Sequence, residues 1–198
     1  MNFAGDFDDI KKENVPEKVF SFKEQLGKSE GTALNKDYKK LLLEILPNAF
    51  DIRKAGLEED KKGTDWWVEY RNRDHISIDI KARDVDPLKL RIPEDDLVLE
   101  IWSNIERKIP GWTLNINKRT DYILWFWKPT GRFLLLSFPK LLYVFKENWK
   151  KWKEMYTSRT NKSKGSDGTT WESEYMKVPR KVVLKEIDRI FHGESTSY

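Results

Sequence analysis

Between Gly63 and Arg83 the chain reads GTDWWVEYRNRDHISIDIKAR. Asp65 stands near its start, and Asp79-Ile80-Lys81 lies near its end. Two carboxylates and a lysine are the minimum set for metal-assisted hydrolysis of a phosphodiester. Mg²⁺ wants hard oxygens and usually takes one or two carboxylates, the rest being water and phosphate. A bound cation lowers the pKa of its water and stabilises charge on the phosphorus centre. A neighbouring lysine orients that water or neutralises charge. Local pattern gives the means of bringing the groups together. Ile76, Ile78 and Ile80 alternate with Ser77, Asp79 and Lys81. Period two puts the isoleucines on one face of a strand and the three polar side chains on the other, with Lys81 about 7 Å from Asp79 along the strand. Arg83 shares that polar face, where it would meet a phosphate. The bland alternative is a solvated edge hairpin on which Asp79 and Lys81 form an ordinary exposed pair and Arg83 a solvated end.

The elements that must position these groups are legible as periodicities. Tyr38, Leu41, Leu42, Ile45 and Leu46 repeat at helical spacing, predicting a helix over 36–46, with Asn35 as its N-cap and Pro47 as its stop. An earlier helix is expected from Pro16 to about Leu26, followed by the breaker GKSEG. Residues 48–62 read as a charged connection. Trp66–Tyr70 is a strand, 71–74 a polar turn, and 76–81 the returning strand. After a Pro-containing loop over 84–94, Leu97, Leu99 and Ile101 alternate with Val98, Glu100 and Trp102. DYILWFW, Asp121 to Trp127, is apolar almost throughout and predicts a buried strand. Lys128-Pro129-Thr130-Gly131 turns it into a partner strand over 132–138. A helix is expected from Pro139 to about Tyr156, a flexible basic loop over 157–169, a strand over 170–178 and a closing helix over 180–191. These elements predict an α/β (α+β) chain with one mixed β-sheet flanked by helices. The domain layout expected is an acidic N-terminal arm over 1–16, one domain over 17–192 and a short tail over 193–198.

The layout Gly63-Thr64-Asp65, hairpin, Asp79-Ile80-Lys81 resembles the PD-(D/E)xK nuclease superfamily, which includes many restriction endonucleases and the archaeal Holliday junction resolvases. The motif residues fall within 36–83, and the strand order follows loosely to Phe138. The stretch from Gly111-Trp112 through DYILWFW and RFLLLSF also resembles phage- and plasmid-type proteins placed in that superfamily. The resemblance implies a restriction-endonuclease-like core and Mg²⁺- or Mn²⁺-dependent cleavage of DNA. Asp65 and Asp79 become the metal ligands, and Lys81 the lysine that assists the attacking water. Asp fills the triplet's first place, where Glu is commoner. Thr64 stands where the pattern has proline. Many nucleases of this kind dimerise, so a homodimer is a further implication.

A third acid is usual in the superfamily. Glu100 is one choice, if the third strand sets it beside Asp79. Glu44 is another, although it lies roughly 130° around its helix from the apolar stripe. Asp51 is a third. The stretch Lys146 to Lys164 holds seven Lys or Arg against two Glu. Lys146, Lys150, Lys151 and Lys153 gather on the expected helix, and Arg159, Lys162 and Lys164 in the basic loop. Together they form either a phosphate-tracking ridge or an ordinary solvated face. Trp149 and Trp152 read as core rather than as base-stacking platforms. His75 and His192 are isolated and have no partner at metal spacing.

Composition bounds the rest. The chain has 198 residues, 38% hydrophobic and 35% charged, with net charge +4, so a charged but globular protein is expected. The mild basicity, with a pI near 9.0, is compatible with a polyanionic partner. There is no cysteine, hence no disulfide, thiolate nucleophile or Cys-based zinc site. A cytoplasmic, reducing location is expected, with no membrane span and no signal-peptide layout at the N-terminus. There is no GxxxxGK[ST] loop and no GxSxG elbow. Two functions of different class follow. One is a metal-dependent deoxyribonuclease. The other is a non-catalytic nucleic-acid-binding or protein-interaction module on the same fold, such as an inhibitor carried by a mobile element. On the first reading, Asp79→Ala or Lys81→Ala is expected to abolish cutting and leave the melting temperature nearly unchanged.

Overall fold

The computed structural model describes residues 20–21, 32–72, 74–90, 95–165 and 167–193. Its strands divide into two five-stranded sheets. In chain order they are β1 (Phe20–Ser21), β2 (Ala49–Lys54), β3 (Trp66–Tyr70), β4 (His75–Arg83), β5 (Asp96–Asn104), β6 (Ile109–Pro110), β7 (Tyr122–Trp127), β8 (Arg132–Ser137), β9 (Ser158–Lys164) and β10 (Thr170–Pro179). The helices are α1 (Thr32–Ile45), the one-turn α2 (Leu57–Asp60), α3 (Phe138–Met155) and α4 (Arg180–Phe191). The first sheet runs β2-β3-β4-β7-β8, and the second β1-β9-β10-β5-β6. The fold is therefore mixed α+β, two sheets flanked by helices.

The first sheet is covered on both faces. On one, Ile52, Trp66, Val68, Ile78 and Leu124 pack against Leu42 of α1, with Tyr38, Leu41 and Ile45 around it. On the other, Ile123, Trp125 and Trp127 of β7 join Leu97, Leu99 and Ile101 of β5, Met176 and Val178 of β10, and Leu141, Val144 and Phe145 of α3. Strand β7 contributes to both clusters, which is why its sequence is apolar almost without interruption. It lies parallel to β4, in the register Ile78↔Tyr122, Asp79↔Ile123 and Lys81↔Trp125. Ser77 and Asp121 pin that register. The Ser77 amide and hydroxyl both donate to Asp121 Oδ2, at 2.7 and 2.8 Å, and the Asp121 amide donates back to Ser77 Oγ at 2.9 Å.

Several expectations change. The expected single mixed sheet is two sheets. The third predicted strand, β5, pairs with β10 and β6 and not within the sheet of β4. The charged connection over 48–62 holds β2 and α2. Helix α1 begins at Thr32, so Asn35 lies inside it rather than capping it. The expected flexible loop over 157–169 is mostly β9, paired antiparallel with β10. Its sequence, SRTNKSK, lacks apolar residues on either face, so period two cannot show. Within the expected helix over 16–26, only Phe20–Ser21 are described, and they form a strand parallel to β9. The acidic arm over 1–16 and the tail beyond 193 lie outside the described residues.

The far end of the β7–β8 hairpin is tied to the second sheet by charge. Arg132 reaches Asp86 through Nε (3.0 Å) and Nη2 (2.8 Å), and Asp95 through Nη1 (2.8 Å) and Nη2 (2.9 Å). Its guanidinium lies 3.7 Å from the centre of the Trp127 ring. Arg180 adds a 2.7 Å contact to Asp95 at the entry to α4. Among the described residues no helix is long and apolar enough to cross a membrane.

Candidate active site

The alternation in β4 sets Ile76, Ile78 and Ile80 toward α1, leaving Ser77, Asp79 and Lys81 on the opposite face, which is the inside of the molecule. Asp79 is only 2% exposed, so the solvated-edge alternative does not hold. Asp65 sits just before β3 and is fixed from both sides. Its amide donates to the Ile78 carbonyl (2.9 Å), and its Oδ2 accepts the Ile80 amide (2.7 Å). Lys81 Nζ lies 2.8 Å from Asp79 Oδ2 and 5.1 Å from the centre of the Trp112 ring.

A second lysine completes the group. Lys118 Nζ lies 2.6 Å from the same Asp79 oxygen and donates to the Gly63 carbonyl at 3.0 Å, with only 5% of its side chain exposed. Three contacts fasten its loop to the start of the hairpin. They are the Lys118 ammonium to Gly63, the Arg119 amide to the Lys62 carbonyl at 2.7 Å, and the Thr64 hydroxyl to the Arg119 carbonyl. Thr64, which replaces the pattern's proline, is thus buried and occupied in holding this loop. Gly63 is required on two counts. Its φ is +92°, and a Cβ there would run into the Lys118 side chain, 2.6 Å from Cγ. Neither spacing nor alternation marks Lys118 in the sequence. Its polar loop ahead of a buried strand is the only signal.

Glu100 comes from the other sheet. Its Oε2 accepts the Trp112 amide at 2.9 Å. Gly111 permits the approach, since a Cβ there would lie 2.6 Å from Glu100 Cγ and from its carbonyl oxygen. Lys81 and Lys118 both act on the Glu100 charge. Glu100 therefore faces the cluster from across the sheets rather than standing beside Asp79 on a neighbouring strand.

The electrostatics follow from burying unlike charges together. Burial alone would raise Asp79, but Lys81 and Lys118 outweigh it and hold the carboxyl below the usual range. Asp65 is pushed up to about 7, first by burial and then by the Asp79 charge, against the opposing pull of Lys81 and the Ile80 amide. Burial works against the Lys81 ammonium, yet Asp79 and Asp65 raise its pKa. Lys118 is lowered, first by burial, with the Lys81 charge adding to it. Burial also raises Glu100 and lowers Arg83.

One consequence is a pH dependence of stability. Between about pH 4 and 7 the folded chain keeps a proton on Asp65 that the unfolded chain has released, so stability falls as pH rises through that window and is level above it. Asp65→Asn cannot ionise. It should melt higher than the wild type at pH 8, by on the order of 2 kcal/mol after allowance for the partial exposure of Asp65, and the gain should vanish at pH 4. Thermal melts at the two pH values measure this.

The donor atoms are of the kind a small hard cation takes. Asp65 and Asp79 supply two carboxylates, the number Mg²⁺ usually takes from protein. Asp79 Oδ2 is buried without an aligned hydrogen bond, although two ammonium groups stand at ion-pair distance from it. Opposite Lys81, the Trp125 indole N–H is likewise buried without a hydrogen-bond partner. No group of three or more His, Cys, Asp and Glu side chains at metal-holding distance occurs among the described residues.

The other predicted residues lie elsewhere. Glu44 is 64% exposed on α1, across the first sheet from Asp79, and pairs with Lys40 at 3.9 Å. Asp51 is on β2 and pairs with Lys39 at 3.4 Å. Arg83 ends β4 on the inward face, its Nη1 donating to the Ala82 carbonyl at 3.2 Å. Lys146, Lys150 and Lys151 are exposed on α3, and Trp152 of that helix is buried in the core. Lys153 reaches the buried Glu174 at 2.6 Å and so anchors α3 to β10. Arg159, Lys162 and Lys164 are strand residues. Lys162 and Lys164 fall on one face of β9 and Arg159 on the other, opposite Tyr175. His75 packs its ring edge-on against Trp67, and His192 lies 3.4 Å from Lys140 Nζ. Comparison of the chain with protein-family models, curated proteins and solved structures finds no match.

Proposed function

We propose that this protein is a Mg²⁺- or Mn²⁺-dependent endonuclease that hydrolyses DNA phosphodiester bonds, built on a restriction-endonuclease-like core. One observation carries the reading. Asp65, Asp79 and Lys81 meet on the buried face of β4, and the Asp65 carboxyl is pushed up to about 7, first by burial and then by the charge of Asp79. Carboxylates pressed together in this way are poised to accept a cation, whose arrival would displace the proton from Asp65.

In this reading Asp65 and Asp79 hold the metal. When bound, the metal polarises a phosphoryl oxygen and supplies a water that ionises near neutral pH. The Ile80 amide on Asp65 Oδ2 fixes that carboxylate. Lys81 has its ammonium between Asp79 and the Trp112 ring, where it orients the attacking water and offsets developing charge. Lys118 keeps Asp79 ionised and adds a second positive charge where phosphate oxygens gather. Glu100 balances the two lysines from the facing sheet.

The two ammonium groups on one oxygen favour a second reading. A carboxylate neutralised by Lys81 and Lys118 is also a self-contained structural ion cluster, as a non-catalytic nucleic-acid-binding or protein-interaction module would carry. Supercoiled plasmid separates the two. The nuclease reading expects nicked and linear products with Mg²⁺ or Mn²⁺ and none in EDTA. DNA that binds and stays whole with both metals would favour the module, and DNA that does not bind at low salt would favour a protein partner.

A further inference from the structure

The face of the second sheet turned away from α3 carries a cleft of about 580 Å³ that begins at Glu100. Ser103, Asn161, Ser163, Trp171 and Ser173 line it, with Arg107 at one side. Strand register explains the lining. Trp171 pairs with Ser163, Ser173 with Asn161 and Tyr175 with Arg159, so these six side chains share one face. The β10–β5 register shifts between Glu174 and Tyr175, which leaves Glu100 opposite Tyr175 on that face and turns Trp102 the other way with Glu174. Trp102 accordingly packs edge-on against Trp149 of α3, at 6.4 Å between ring centres. Glu100 is thus common to the cleft and to the charged cluster, where Lys81 and Lys118 act on it.

The chemistry of this face suits bases better than phosphates. The charged lining residues are Glu100, Glu106 and Arg107, two anions against one cation. Its other polar groups are the amides of Asn104 and Asn161 and several hydroxyls, which pair with base edges of either polarity. Trp171 and Tyr175 are half-buried aromatics on one face of the sheet, and stacking on such rings tolerates every base. Arg159, exposed on the same face, is placed for the sugar–phosphate chain. The volume suits a nucleotide-sized ligand rather than a duplex.

We infer that this face binds an unpaired strand of DNA leading away from the Asp65–Asp79 cluster, its bases stacked on Trp171 and Tyr175 and read by Asn161, Ser163 and Ser173. The inference rests on the nuclease reading for its substrate and makes single-stranded or splayed DNA the preferred one.

The test is fluorescence anisotropy of a labelled ten-residue oligothymidylate, and of a hairpin duplex of equal length, with the full chain in EDTA. Wild type should bind the single strand more tightly than the duplex. Trp171→Ala should weaken the single strand on the order of tenfold, and Trp171→Phe should restore most of it. Asn161→Asp, which adds an anion to an already polar surface and leaves the core alone, should weaken binding several-fold with an unchanged melting curve. Equal single-strand affinity in wild type and Asn161→Asp, or duplex preferred over single strand, would overturn the inference. Plasmid cutting is scored separately with Mn²⁺. Cutting without this single-strand dependence sinks the cleft and spares the nuclease. Trp171-dependent binding without cutting sinks the nuclease and leaves a single-strand-binding surface.

Discussion

Asp79→Ala should cost this protein about 3–5 kcal/mol of stability, in addition to any cleavage. The residue stands between two ammonium groups, at 2.8 Å from Lys81 and 2.6 Å from Lys118. Lys118 is 5% exposed and Lys81 23%, so neither can recover full hydration when the carboxylate goes. What remains is two like charges in a poorly solvated space, one of them already lowered by burial. Chemical unfolding followed by circular dichroism measures the loss. The sequence suggested the opposite, an unchanged melting temperature, because a polar strand face looks like a wet one. A loss under about 1 kcal/mol would mean that the lysines do not depend on Asp79.

Arg132→Ala is the other large effect. Its guanidinium holds Asp86 and Asp95 together and stacks on Trp127, joining the β7–β8 hairpin to the entry of β5. Truncation strands Asp86, which has 1% of its surface exposed. Asp86 is covered by its clamp rather than by a deep core, so the loss should fall at the low end for broken buried pairs, about 2–3 kcal/mol. The acid limb carries a second signature. Hydrogen bonds from Arg132, with Thr130 assisting, hold the Asp86 carboxyl well below the usual range. Its contribution is full above the ordinary carboxylate pKa near 4 and is lost as pH falls through the depressed folded value. Wild type should therefore lose stability steeply in acid. The variant, with that anchor gone, should start lower and decline less, as equilibrium unfolding at pH 7 and pH 3 would show.

The local half of this architecture is written in the sequence, and the long-range half is not. The isoleucine alternation set Asp79 and Lys81 on one face of β4, as found. The apolar run before Lys128 is the doubly covered strand β7, and α4 spans Arg180–Phe191 as expected. The partnership of β5 with β10 joins segments far apart in the chain, and nothing local announces it. Without that second sheet, Glu100 has no visible route to Lys81, and Asp79 looks like a surface residue. Trp102 was placed on the face of Glu100 by simple alternation, and the register shift moved it to the α3 side. Lys118 escaped because a loop lysine has no period. Only the contacts with the Lys62 and Gly63 carbonyls and the Thr64 hydroxyl bring it to Asp79.

Because Asp79 serves stability as well as the proposed chemistry, Asp65→Asn is the cleaner probe of the site. Asparagine keeps an oxygen for the Ile80 amide, removes the metal-binding charge and relieves the repulsion with Asp79. The decisive measurement is plasmid nicking at pH 8 with Mn²⁺, wild type against Asp65→Asn, with melting curves recorded on the same samples. A metal-dependent nuclease centre predicts that wild type cuts and that Asp65→Asn loses at least on the order of a hundredfold in rate while melting as high as wild type or higher. Equal cutting by the two proteins, or no cutting by wild type with either metal, would contradict it.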